Sequence, residues 1–184
     1  PIYSVQLMTL FLATFTFGLF LTAIGVLFAM PSGRQFLKAL GRSTVANFIC
    51  FGAALGWFLY EITLLGPADF GQYKTILLWT FGPAGVAAFY YIPDFLSIRG
   101  LAGIGLLWAR PLLDAAYLQP YQSRLFLVSA VYAMIALCLY LGAYPYRYRD
   151  FLGFVEQKPV AQKSMAYGLM GLGAVMVILS LFFK

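Results

Sequence analysis

The sequence contains no histidine at all, and this absence removes more chemistry than any other count. Without an imidazole there is no bis-His haem, no His-ligated chlorophyll, no zinc-peptidase site and no Ser-His nucleophile. Charge is scarce as well. Lys and Arg together number 12, Asp and Glu together only 6, and charged residues make up 10% of 184 residues. Soluble domains carry about 25% charged residues. There are two cysteines, Cys50 and Cys138, each inside an apolar run. A disulfide framework needs paired cysteines in an oxidising aqueous loop, so both read as small packing residues.

What fills the chain instead is apolar: 62% of the residues, with 18% aromatic. Apolar runs recur along its whole length and leave no segment for a soluble domain. The expected fold class is an all-α integral membrane protein, 1–184 forming a single transmembrane domain. Hydropathy predicts a compact bundle of six spans near 5–30, 45–65, 70–92, 98–118, 125–144 and 165–183. Short connections make successive helices antiparallel neighbours. The run 5–30 is about 39 Å long as a helix. No basic residue precedes it, so it reads as a retained helix and not a signal peptide. Pro1 fits removal of an initiator Met, and a tag or a cleaved leader would give the same start.

Boundaries carry local signals. Ser32 with Gln35 fits a capping box before a short helix, residues 33–40, closed by Gly41. Ser43 or Thr44 can cap the second span, and Asp69 with Gln72 resembles a capping box for the third. Pro83 should kink the third span and Pro111 the fourth. Asp94 is placed to cap the fourth. Residues 33–40 pair Phe36, Leu37 and Leu40 with Arg34 and Lys38, the pattern of a helix lying in the interface plane. The stretch 144–164 is the longest connection, and its DFLGFVEQ is a second interfacial helix or a docking surface.

Basic residues set an orientation. With the N-terminus outside, inner connections hold Arg34, Lys38, Arg42, Arg99, Arg147, Arg149, Lys158 and Lys163, while the outer side holds Lys74, Arg124 and Lys184. Eight against three places both termini outside by the positive-inside rule, in a membrane such as the bacterial cytoplasmic one. The net charge of +6 then reads as topology and contact with anionic lipid, not nucleic acid binding. Tyr140, Tyr144, Tyr146 and Tyr148 crowd the inner side. Tyr60, Tyr73, Trp79, Tyr117 and Tyr121 gather at the outer side.

The polar exceptions sit in LLWARPLLDAAYL. Arg110 is deep in the fourth span, where a charge costs about 2.5–3.5 kcal/mol. Asp114 lies one turn on, so the two share a face and can pair. Glu61, in the second span, falls at a similar depth to Asp114. If the two spans are neighbours, Glu61, Arg110 and Asp114 form a buried cluster, with Arg124 one way to balance its extra negative charge. The bland reading is a staple between helices; the sharper one is an ion or proton site. Gly52 and Gly56 form a G-x-x-x-G, and Gly168, Gly171 and Gly173 lighten the last span. Such residues let helices approach closely.

Function follows by elimination. There is no paired-aspartate or Ser-His motif for intramembrane proteolysis, and the carboxylates are too dispersed for a metal site; DFG at 69–71 has no kinase context. No catalytic or metal-binding residue is named, and no covalent or His-ligated cofactor is expected. The leading expectation is an accessory subunit of a larger membrane complex, such as a respiratory or photosynthetic one, touching other subunits, lipid, quinone or carotenoid. The alternative is a small ion- or proton-coupled transporter or channel, a homo-oligomer using Glu61, Arg110 and Asp114.

Overall fold

The structure is a computed structural model that describes residues 9–182. Residues 5–8 and 183 of the expected outer spans, together with Pro1 and Lys184, lie outside the described residues. Of the described residues 84% are helical, and none lies in a strand. The described residues form eight α-helices in order: α1 (Leu10–Ala29), α2 (Pro31–Leu40), α3 (Thr44–Leu64), α4 (Lys74–Tyr91), α5 (Leu96–Ala116), α6 (Arg124–Ala143), α7 (Tyr146–Gln157) and α8 (Pro159–Ser180). Five of them, α1, α3, α5, α6 and α8, are long and apolar enough to cross a membrane. The fold is thus consistent with an α-helical membrane protein. The expected third span, α4, is not among the five: its 18 residues begin on Lys74, end on Tyr90-Tyr91 and include Gly82-Pro83.

The described residues fall into two compact units. The first comprises 9–38, 108–137 and 150–182. Its main contact is α1 against α8. A Cβ at Gly18 would lie 2.9 Å from the Gly173 carbonyl oxygen, and one at Gly25 would lie 2.8 Å from that of Ala166. Residue numbers rise along α1 as they fall along α8, so the two helices are antiparallel. Phe17, Leu112, Leu127, Val131 and Met176 close the core of this unit. Trp108 stacks obliquely on Phe17 at 5.7 Å and edge-on to Phe20 at 5.2 Å.

The second unit comprises 39–107 and 138–149. Here α3 and α4 form an antiparallel hairpin: Phe48 and Phe51 meet Phe89, Leu55 meets Gly85, and Phe58 meets Phe81. By contrast, α3 and the first half of α5 run parallel, since Gly100 abuts Cys50 and Phe51 while Gly103 faces Ala54. The last part of α6 runs back along α5, with Cys138 at Gly105 and Gly142 near Ala102.

Several boundaries differ from the sequence expectations. Helix α2 starts at Pro31 directly after α1, so Ser32 lies inside the helix and no capping box forms. Proline at the first helical position needs no N–H there, and its fixed φ favours a helix start. No described glycine has positive φ, so Gly41 does not close α2 by a left-handed cap. Instead Arg42 N and Ser43 N both donate to Ala39 O. Ser43 does cap α3, accepting from Ala46 N at 3.3 Å. Asp69 and Gln72 form no cap for α4; its N-cap is Tyr73, and a 3-10 turn (Gly71–Tyr73) follows Phe70 in the left-handed region. The long connection 144–164 is almost wholly helical. Helix α7 starts at Tyr146, and α8 starts at Pro159, again a proline at the helix start. Pro83 and Pro111 both lie inside continuous helices.

Candidate functional site

Arg110 and Asp114 form the ion pair that their spacing allows, with Nε to Oδ2 at 3.8 Å. The expected burial is absent. Their side chains are 76% and 73% exposed, and Tyr117, next on the same face, is 70% exposed. The opposite face of the helix carries Ala109, Leu112, Ala115 and Ala116 into the core of the first unit. These small and apolar side chains fill the inside, so the charged stripe is turned outward. Depth along a helix can be read from sequence; the direction a residue faces depends on which stripe packs better.

Glu61 belongs to the second unit, while Arg110 and Asp114 belong to the first. Glu61 Oε1 accepts from Trp57 Nε1 at 3.1 Å, one turn away on α3. Arg124 has another role. Its Nη1 donates to Ala116 O at 2.9 Å, capping the C-terminus of α5. Lys74 does the same for α3, donating to Thr63 O at 2.9 Å. In both cases the first residue of one helix satisfies the last carbonyls of the preceding helix, where a cation also complements the helix dipole.

The inner-interface residues divide in a similar way. Arg34 Nη1 and Gln162 Nε2 both donate to Phe28 O near the end of α1. Lys38 pairs with Glu156 at 2.6 Å, joining α2 to α7. Arg42, Arg147 and Arg149 are exposed, and Arg147 lies over the Tyr146 ring at 5.6 Å. Tyr140, Tyr144 and Tyr146 follow one another in edge and tilted contacts. On α7, burial pushes the Tyr148 phenol up to about 12.

The glycines correct one expectation. At Gly52, Gly56, Gly168 and Gly171 a Cβ would meet nothing within 4 Å, so these four serve no close packing within the described chain. Close approaches occur at Gly18, Gly25, Gly85, Gly100 and Gly173. Of these, Gly173 alone was singled out by its spacing.

One polar device had no sequence signal. Asn47, in the first turn of α3, accepts from Ser97 N at 2.8 Å and donates to Pro93 O at 2.9 Å. Ser97 Oγ, fully buried, donates to Leu40 O at 2.6 Å. Asparagine thus caps α5 from across the unit, the task expected of Asp94, which is exposed. No group of three or more His, Cys, Asp or Glu suited to a metal ion occurs among the described residues.

The fold and this site define a helical chain with apolar spans and a charged stripe on an outer face. No family model, curated protein or solved structure matches the chain.

Proposed function

We propose that this chain is a non-catalytic accessory subunit of a larger membrane assembly. The observation that carries the reading is the outward-facing Arg110–Asp114 pair on a helix apolar enough to span a membrane. Against hydrocarbon each charge costs about 2.5–3.5 kcal/mol, less what pairing returns. A neighbouring polar membrane helix relieves that cost. Electron-transport complexes are the natural hosts, with lipid, quinone or carotenoid filling apolar surfaces such as those around exposed Trp79 and Tyr90.

Six spans are part of this reading. If α3 and α5 cross the membrane in the same direction, as their parallel packing favours, the chain must return between them. Only α4 is available to do so, and its aromatic contacts run along α3 from Phe48 to Phe58. A bend at Pro111 and another at Pro83 belong to the same proposal. The excess of inner basic residues supports both termini outside, anionic lipid at the inner face, and a bacterial cytoplasmic membrane.

The test is native mass spectrometry of the protein extracted gently from its own membrane. Other polypeptides at fixed stoichiometry are expected. The variant carrying both Arg110→Leu and Asp114→Leu should fold and lose them. If the wild-type protein appears without other polypeptides, the subunit reading fails. The same charged face favours one second reading, a homo-oligomer with an ion or proton path. Flux into proteoliposomes that Asp114→Asn abolishes while the fold survives would select it.

A further inference from the structure

Helix α1 has 20 residues. At about 1.5 Å per residue it is about 30 Å long, the thickness of the hydrocarbon core of a bilayer. If α1 spans the membrane, its last turn is at a membrane face, and whatever packs around that turn is at headgroup level. Both α2 and α7 pack there. Only Met30 separates α1 from α2. A Cβ at Gly33 would collide with the Leu27 backbone, so α2 folds back against the last turns of α1. On α7, Phe151 meets Phe28 edge-on at 6.3 Å.

The two helices are joined to each other by Lys38 and Glu156, 2.6 Å apart. With 3.6 residues per turn, their other residues follow in order around each axis. On α7, Leu152 and Val155 face the core, Glu156 lies to one side of them, and Phe151 and Phe154 lie to the other. On α2, Gly33 faces the core, Lys38 lies to one side and Phe36 to the other. Because Lys38 meets Glu156, the aromatic sides are the two outer edges of the pair. Phe36, Phe151 and Phe154 are all exposed there. Lys158 stands over the Phe154 ring at 4.6 Å. A long cationic side chain lies this way when its stem follows apolar surface and its ammonium keeps to the water.

From these positions we infer that α2 and α7 form one two-helix platform bedded in the lipid leaflet at which α1 ends. The Lys38–Glu156 seam runs along its middle, and Phe36 on one edge and Phe151 and Phe154 on the other sink among the lipids. Apolar residues on one flank and cations beside them are what holds a helix in the plane of an interface. The occupant is lipid because both edges continue outward from the end of a membrane-spanning helix, at the level of Leu27 and Phe28. The inference rests on α1 spanning the membrane and is separate from the subunit reading.

The test uses the full-length protein in nanodiscs of phosphatidylglycerol and phosphatidylcholine. Cys50→Ala and Cys138→Ala clear the background, and one spin-labelled cysteine is introduced at a time. Labels at Phe36→Cys, Phe151→Cys and Phe154→Cys should collide with oxygen in preference to a water-soluble nickel chelate. Labels at Gln35→Cys and Gln157→Cys, also exposed, should show the reverse. A label at Leu19→Cys, exposed near the middle of α1, reads the span itself. Leu19 in lipid with either platform edge in water overturns this inference alone. Leu19 in water overturns the spanning reading along with it. Edge labels that neither collider reaches mean that a protein covers the edges, and this also overturns the inference. Hydroxyl-radical oxidation of the wild-type protein in the same nanodiscs reads the three rings without substitution, should a variant fail to fold. Oxidation of Phe36, Phe151 and Phe154 at the rate of free phenylalanine overturns the inference; loss of that oxidation is expected.

Discussion

Replacing Gly173 with alanine tests the packing of α1 on α8 with an internal control. The new methyl would lie 2.6 Å from Gly18 O and 2.7 Å from Thr22 N, both backbone atoms that no rotamer change can move. Ordinary carbon contacts begin near 3.5 Å, so the helix axes must separate by about 1 Å. Overpacking of this kind costs about 1–3 kcal/mol. Against it, alanine is favoured over glycine in a helix interior by about 0.5–1 kcal/mol. Gly171→Ala, on the same helix, gains the same propensity and meets nothing within 4 Å. The propensity gain cancels in the difference between the two variants. Gly173→Ala should therefore unfold about 1–3 kcal/mol more easily than Gly171→Ala.

The assay is reversible unfolding in mixed micelles with increasing SDS, followed by tryptophan fluorescence. Trp108 reports on this unit because it packs on Phe17 and Phe20 of α1. Gly168→Ala should behave like Gly171→Ala, and Gly18→Ala like Gly173→Ala, since Gly18 faces Gly173 reciprocally. If Gly173→Ala proves as stable as Gly171→Ala, α1 and α8 do not approach as described, and the antiparallel pairing is wrong.

Four other outcomes are expected. Asn47→Leu removes the acceptor of Ser97 N and the donor to Pro93 O, and should cost about 1–3 kcal/mol in the same unfolding assay, whereas Asp94→Ala should cost little. Arg124→Met removes the bond to Ala116 O and should destabilise by about 1 kcal/mol, read as a lower SDS midpoint. Lys38→Met should have a smaller effect of about 0–1 kcal/mol that fades with added salt, because its pair with Glu156 is solvent-exposed. Tyr148 holds its proton up to about pH 12 in the folded chain, against an ordinary value near 10. The unfolded chain gives that proton up first, so Tyr148's contribution is complete below pH 10 and is lost as pH rises through about 12. Ultraviolet titration should show a late-ionising tyrosine that Tyr148→Phe removes; no difference between the two proteins would refute it.

What the sequence made legible follows a physical divide. Apolar runs mark α1, α3, α5 and α6 because their signal is summed over some twenty residues each. Ser43 is legible because a cap is a local bond. Pro31 and Pro159 open α2 and α8, because at a helix start proline loses no hydrogen bond. Asn47 was not legible, because its partners lie 46 and 50 residues away. The outward turn of Arg110 and Asp114 was hidden for a different reason. Spacing fixes that they share a face, but the side to which that face turns is decided by Ala109, Leu112 and Ala115 against the rest of the core.

The caps also bear on orientation. The positive-inside rule counts cations as if each answered to the membrane alone. Lys74 and Arg124 instead answer to the ends of α3 and α5, and either side of a membrane would require them there. Arg34 and Lys38 are similarly occupied, by Phe28 O and Glu156. Arg147 and Lys158 lie over the Tyr146 and Phe154 rings, so they too answer to the chain itself. Substituting Lys74 and Arg124 by methionine should accordingly loosen the helix ends without inverting the chain, as cysteine accessibility on the two membrane faces would report. Inversion by those two changes would refute the assignment of Lys74 and Arg124 as caps.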